Sequence, residues 1–395
     1  MADLLSIDEA QRLILERATA LPAEPVPIDR AAGRVLAEAA VSKVDLPPFP
    51  SSAMDGFAVR SADTPATLQI VGRVAAGVPF DGSIEPGAAV GIATGGEVPD
   101  GADAVAPIEI VGEKDNEVEV PSTEAGANVR PRGGDVRQGD TVGNVGDRLT
   151  PARLGALAAA GVAEVHCSRR PRAAVVPTGT ELRKPGEELR AGEVYEANGL
   201  ILEAQLDAAG AVVERQDAVG DDEAQHRVAL ERALDADVVV TSGGVSVGPH
   251  DLVRKAEAEL GVQEVFWRVA VKPGKPISFG TRRNTLVFGL PGNPVSALVG
   301  FELFVKPAIL ALQGIPDPLP RFEPGRLANG RRRNPNRDEL VRARRTFDGD
   351  SVVLGPLGGQ ESHMIARAAA ADALVLVPRG DGELEAGATV RYLSI

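Results

Sequence analysis

The chain has 395 residues, 44 % apolar and 25 % charged, with a formal net charge of −14 and a single cysteine, Cys167. That length exceeds one ordinary domain. The acidity argues against a nucleic-acid partner, which would want a basic face, and one cysteine excludes both an internal disulfide and a cysteine-based metal cluster.

Residues 6 to 21 read as an amphipathic helix, with Ile7, Ala10, Leu13, Ile14, Ala18 and Leu21 on one stripe and Ser6 with Glu9 as a capping box. Pro47-Pro48-Phe49-Pro50 cannot be helical and makes a rigid entry to a new region. From about 57 to 145 short β-like runs are split by Gly and Pro: 68–74, 89–93, 104–111 and 117–120. Helix returns over 151–161, with Thr150 as cap and Pro151 at the first position. Beyond 171 strand and helix alternate. Strands are predicted at 172–176, 211–218, 237–241 and 285–289, and helices at 198–209, 222–234 and 294–312. Such alternation predicts a parallel sheet with helices on both faces. After Pro316-Asp-Pro-Leu-Pro320 the short β runs return (339–346, 351–354, 373–377, 389–393), which predicts a small C-terminal β domain. No apolar run reaches the roughly 18 residues of a membrane span. The N-terminus lacks a basic region followed by an apolar stretch, so a cytoplasmic protein with no membrane partner is expected. Of 42 basic residues only 7 are Lys; this composition fits a high-salt cytoplasm or a GC-rich genome.

Five constellations carry polar chemistry. In Val238-Val-Val-Thr-Ser242-Gly243-Gly244-Val-Ser246 an apolar strand runs into a Gly- and Ser-rich turn. Ligands of open α/β sheets bind at that carboxyl edge, where glycines let backbone N–H groups approach an anion; the alternative is a plain βα turn. Lys272-Pro273-Gly274-Lys275-Pro276 sets two ammonium groups on a stiff loop, suited to an oxyanion, or simply solvated. Leu290-Pro-Gly-Asn293-Pro294-Val-Ser296 opens a long apolar helix, with Asn293 a natural cap and the helix start an anion site. Ser51-Ser-Ala-Met-Asp55-Gly56 places a carboxylate in a rigid loop, as a turn or as a metal bridge. Asp135, Glu181, Asp221 and Asp251 are scattered carboxylates, surface residues unless they converge near the lysine loop, where they would suit magnesium. The four histidines show no metal-ligand spacing, and no G-x-G-x-x-G opens a βαβ unit.

Taken together, PPFPSSAMDGFAV, ATGG at 93–96, RGGD at 132–135, PTGTEL at 177–182, TSGGVSVGPHD, VKPGKP and LPGNPVS resemble, in order and over residues 6–395, the molybdopterin molybdotransferases: bacterial MoeA proteins and the gephyrin C-terminal domain. Phe57 stands where that family often has Tyr, and Gly96 where it often has Ala. The resemblance implies a multidomain α/β and β chain. Its parts would be an elongated N-terminal linking domain (1–45 plus 137–170), a β-rich domain (46–136), a parallel-sheet α/β domain of the molybdopterin-binding type (171–316), and a C-terminal, barrel-like β domain (317–395). It also implies a homodimer, with the upstream adenylyltransferase as a further candidate partner. Its activity would be magnesium-dependent insertion of molybdate into molybdopterin adenylate, with hydrolysis of the adenylate and release of AMP. Carried over by motif, Lys272, Lys275, Ser296, Arg342 and Ser362 would contact the oxyanion, and Ser242, Gly243, Gly244, Ser246, Pro276 and Asn293 would line the substrate site. Asp55, Thr94, Asp135, Glu181, Asp221 and Asp251 would be the catalytic polar residues, with Asp55, Glu181 and Asp251 as magnesium ligands. The α/β part also resembles the small adenylyltransferases that activate molybdopterin with ATP; the MDGFA segment favours the molybdotransferase.

Overall fold

A computed structural model describes residues 4–74, 77–220, 222–244 and 252–395. The chain forms two compact units, one of residues 1–24, 33–37 and 168–395, the other of residues 25–32 and 38–167.

In the first unit a six-stranded sheet is built from β1 (Arg172–Pro177), β2 (Val212–Arg215), β3 (Val238–Ser242), β4 (Gln263–Trp267), β5 (Ser278–Arg282) and β6 (Thr285–Leu290), in the order β2-β1-β3-β6-β5-β4. Strands β2, β1, β3 and β6 are parallel. The sheet is therefore mixed rather than wholly parallel: β5 and β4 add antiparallel edges, because the short turn after Arg282 folds β5 straight back along β6. The strand side chains alternate between two layers. Ala173, Val175, Val238, Val240, Phe288 and Leu290 pack with Leu202 and Leu206 of helix α1 (Asn198–Ala208). Ala174, Val176, Val239 and Val287 pack with Ala233 and Leu234 at the end of helix α2 (Glu223–Ala233). A third helix, α3, spans Leu252–Glu259.

The apolar helix of residues 294–312 is long and apolar enough to cross a membrane, contrary to the count of apolar runs, but 78 % of its most apolar window is buried inside the protein. It is not uniform: Phe301–Val305 is a π-helical turn between α-helical Pro294–Gly300 and Lys306–Leu312. Pro307 has no N–H to give the Leu303 carbonyl four residues back. The Gln11 amide donates to that oxygen at 2.8 Å instead. Gln11 lies on the N-terminal helix, Ile7–Leu15, which packs on this segment. That helix is shorter than the periodicity predicts. Ser6 caps it through Glu9 N–H, but the Glu9 carboxylate pairs with Arg12 rather than closing a capping box.

The C-terminal strands close into a five-stranded barrel: Asp338–Asp348, Ser351–Pro356, Glu323–Leu327, Thr389–Ser394 and Ala373–Val377, which returns to the first. Val341, Ala343, Val375, Val377 and Tyr392 fill it. Leu340, Leu374, Leu376 and Leu393 face the α/β core. Val271–Lys272 adds to the barrel strand at Asp338–Glu339.

The second unit holds a six-stranded sheet in the order 104–107, 56–59, 88–92, 66–74, 117–120, 112–114. Phe57, Val59, Leu68 and Ile70 face one apolar layer, while Ala58, Val74 and Val90 face the other. Its helix, Pro151–Ala159, starts as expected, with the Thr150 side chain accepting from Arg153 N–H.

Candidate functional site

The chain leaves β1 to one side, forming β2, and then crosses to the other side to form β3. The carboxyl ends of β1 and β3 therefore flank the point where the strand order reverses, which is where open α/β sheets bind ligands. Ser242 ends β3 there, 2 % exposed. Its carbonyl accepts from Thr178 N–H (2.9 Å) and the Thr178 hydroxyl (3.1 Å), which ties the two strand ends together. Gly243 and Gly244 both have positive φ. The Gly243 N–H is spent on the Leu290 carbonyl at 3.0 Å, so it does not reach an anion as the sequence suggests. Its service is clearance, since a methyl group there would lie 2.5 Å from Thr178 O. Gly292, after β6, lies beside it: a methyl group there would make ordinary contact with Gly243 Cα at 3.6 Å.

Asn198, the first residue of α1, links Ser242 to Gly292. Its Nδ2 donates to Ser242 Oγ at 2.7 Å and to the Gly292 carbonyl at 2.8 Å. Glu181 lies just beyond Thr178, exposed, with its carboxylate folded back over Gly179.

The lysine loop meets the helix start. A methyl on Gly274 would lie 3.6 Å from Ser296 O, and Ser296 is buried. Lys275 is exposed and, among the described residues, its ammonium has no partner, while Pro276 beside it is half-buried. Lys272 is different. It donates to Glu339 at 2.8 Å, and Glu339 also meets Arg331 at 3.3 Å. Burial opposes the charge on Glu339, but the two cations outweigh it and hold its carboxyl below the ordinary range. Lys272 is thus already committed in this structure. Asn293 begins the helix without a side-chain capping bond, against expectation. The Ser362 carbonyl instead accepts from Val295 N–H at 3.1 Å.

Arg342 also departs from its expected role as an oxyanion contact. It is 2 % exposed, and its guanidinium donates to Gln360 Oε1 and to the carbonyls of Gly359, Glu361 and Met364. Burial pushes its pKa down. Arg342 therefore holds the 359–364 loop, and through it Ser362, against the helix start.

In the second unit, Asp55 and Thr94 meet. Asp55 Oδ1 accepts from Thr94 N–H at 2.6 Å and from the Thr94 hydroxyl at 2.9 Å. These two bonds hold the exposed Asp55 carboxyl below the ordinary aspartate range. Gly56 follows because any Cβ would fall 2.0 Å from Ala106 O. Asp135 is exposed on the hairpin whose N–H groups return to Leu46 O. Among the described residues no three His, Cys, Asp or Glu side chains gather as a metal site. Asp221, Ser246 and Asp251 lie outside the described residues.

Known proteins match this architecture. Family models for the MoeA N-terminal region (domain I and II), a probable molybdopterin binding domain and the MoeA C-terminal region (domain IV) match residues 5–161, 174–311 and 324–395. Molybdopterin molybdenumtransferase 2 of Mycobacterium tuberculosis is 37 % identical over 400 residues, covering 97 % of both chains. This chain belongs to the MoeA molybdopterin molybdenumtransferase family. The Haemophilus influenzae molybdopterin molybdenumtransferase is 40 % identical over 79 % of this chain and 78 % of its own. The crystal structure of the molybdopterin biosynthesis MoeA protein from Pyrococcus horikoshii OT3 superposes with a TM-score of 0.85, at 27 % identity over 100 % of each chain. The strand-order reversal falls inside the segment matched by the molybdopterin binding model.

Two residues beside the site, Asn198 and Arg268, lie outside the motifs, whereas Thr178 falls within PTGTEL. Asn198 reads in sequence only as a helix start. Arg268 carries φ +74 and stacks on Trp267 at 3.7 Å; its N–H donates to Ile277 O, and Val269 N–H beside it donates to Lys275 O. Among the described residues its guanidinium has no ion-pair partner. Its left-handed backbone conformation is uncommon for a non-glycine residue and is not visible in the sequence.

Proposed function

We propose that this protein inserts molybdate into molybdopterin adenylate, hydrolysing the adenylate and releasing AMP and molybdenum cofactor, as a cytoplasmic homodimer. The observation that carries the reading is the strand-order reversal at the carboxyl ends of β1 and β3, closed by Gly243, beside a loop whose exposed Lys275 has no partner among the described residues, in an otherwise acidic protein. A phosphate-bearing pterin is anionic and flat on one side, and molybdate is a dianion. Both need local donors and positive charge that the net charge of −14 does not supply.

Within this reading the Lys275 ammonium attracts molybdate, and Ser242 donates to the substrate. Thr94 fixes the orientation of the ionised Asp55 carboxylate, so that Asp55 can orient water or a cation at neutral pH. Asp55 Oδ1 is fixed by Thr94, while among the described residues Oδ2 has no partner. An oriented carboxylate with one open oxygen fits a hard cation such as magnesium, which binds few protein carboxylates and completes its shell with water and phosphate. Glu181 offers a second exposed carboxylate in its own unit, and Asp251 is the third candidate. Magnesium would supply charge neutralisation on the leaving phosphate.

The test is incubation with molybdopterin adenylate and molybdate, reading AMP by chromatography. AMP release that requires molybdate is expected. Formation of adenylate from ATP and molybdopterin would assign the protein to the adenylyltransferase step instead. A single-protomer mass by light scattering would overturn the homodimer.

A further inference from the structure

We infer that Asn198 is a positioning residue that fixes Ser242 as a hydrogen-bond donor to the bound pterin substrate. This rests on the reading of the strand-order reversal as the molybdopterin site. A side-chain amide can present either its oxygen or its nitrogen, and the choice follows from its neighbours. Here one amide atom of Asn198 lies 2.8 Å from the Gly292 carbonyl, which can only accept, so that atom is Nδ2. The same atom lies 2.7 Å from Ser242 Oγ. Nδ2 carries no lone pair for a hydrogen bond, so the serine oxygen must accept.

The Ser242 hydroxyl proton is then directed elsewhere, and among the described residues it has no acceptor. Ser242 is 2 % exposed, so solvent does not satisfy it freely. A buried donor without an acceptor is costly, and a ligand oxygen seated there relieves it. The same Nδ2 joins the end of β3 to the loop after β6, so Asn198 sets both the spacing of the two and the sense of the Ser242 hydroxyl. Asp at this position would reverse that sense. Its carboxylate would face the Gly292 carbonyl and accept the Ser242 proton, leaving the ligand without its donor.

The experiment is a double-mutant cycle on the full-length protein, with metal-free molybdopterin as the probe and Kd read by fluorescence titration. Thermal unfolding of each variant is recorded alongside. Ser242→Ala is expected to weaken binding about 10- to 100-fold, the effect of one lost hydrogen bond to a charged ligand. Asn198→Asp is expected to weaken it at least as much. Because Asn198 acts through Ser242, Asn198→Asp in the Ser242→Ala background should cost at least tenfold less than it does alone. Should Asn198→Asp not fold, Asn198→Ser, which keeps a small polar side chain, goes through the same cycle with coupling of the same sign expected. Losses that simply multiply, or a Ser242→Ala variant that binds as wild type does, overturn the role of Asn198. A wild-type protein that binds no molybdopterin overturns the reading of the site itself.

Discussion

Replacing Arg342 with Met separates two roles for one residue. Met keeps much of the stem volume but removes four hydrogen bonds from the guanidinium, at 2.9–3.3 Å, three of which end on backbone carbonyls. Each bond from a charged donor has a net worth of about 1.5–3 kcal/mol, but they are not additive. Burial of the guanidinium takes several kcal/mol back, and the depressed pKa of Arg342 reflects that cost. The loop carbonyls of 359–364 can also turn to water once released. A net loss of about 2–4 kcal/mol results, and for a body of this size Tm falls by about 4–16 °C. The assay pairs a calorimetric Tm with the molybdate concentration that half-saturates AMP release, measured well below that Tm. A scaffold role predicts a lowered Tm and a half-saturation shift well under the tenfold expected of a lost oxyanion contact. An unchanged Tm with a tenfold higher molybdate requirement would refute the reasoning and restore Arg342 to the oxyanion site.

Lys275→Ala should leave stability within about 0.5 kcal/mol of wild type and raise the molybdate requirement by one to two decades; wild-type molybdate dependence sinks the assignment. Asp55→Asn should change Tm little while AMP release collapses, and a variant that simply unfolds makes Asp55 a turn residue. Because Thr94 depresses the Asp55 pKa in the folded state, any stability from that carboxylate is present above its unfolded value near ~3.9. It is lost only as pH falls through the lower folded value. Thr94→Val should therefore move the acid limb of activity upward, and an identical pH profile would contradict this. Gln11→Leu should cost about 1–3 kcal/mol by leaving the Leu303 carbonyl without its donor. Restoring an N–H with Pro307→Ala should shrink that cost, and an undiminished cost in the double variant counts against the pairing. If the acidic, lysine-poor surface is an adaptation to salt, Tm should rise markedly from 0.1 to 2 M KCl, where the Debye length falls below about 3 Å; a flat Tm favours codon bias.

How much of this was legible without coordinates follows the range of each interaction. Local rules placed the strand–helix alternation, the Thr150 cap with Pro151, and the strands at 117–120 and 373–377, because capping and side-chain period are set by neighbours in sequence. The glycine turn after β3 and the glycines beside Asp55 and Lys275 were visible as composition, and their family order named the chemistry. Tertiary structure decided what each polar group is free to do. Lys272 and Lys275 are indistinguishable in sequence, yet one meets Glu339 from a strand 67 residues away and the other does not. Arg342 looked like an anion contact until four acceptors from the 359–364 loop closed around it. Asn198 reads as a helix start, and only the crossing from β2 to β3 brings Ser242 and Gly292 within reach of its amide. A residue's chemical type is written in the chain, but its remaining hydrogen-bonding capacity is whatever distant partners leave unspent, and those partners are chosen by the fold.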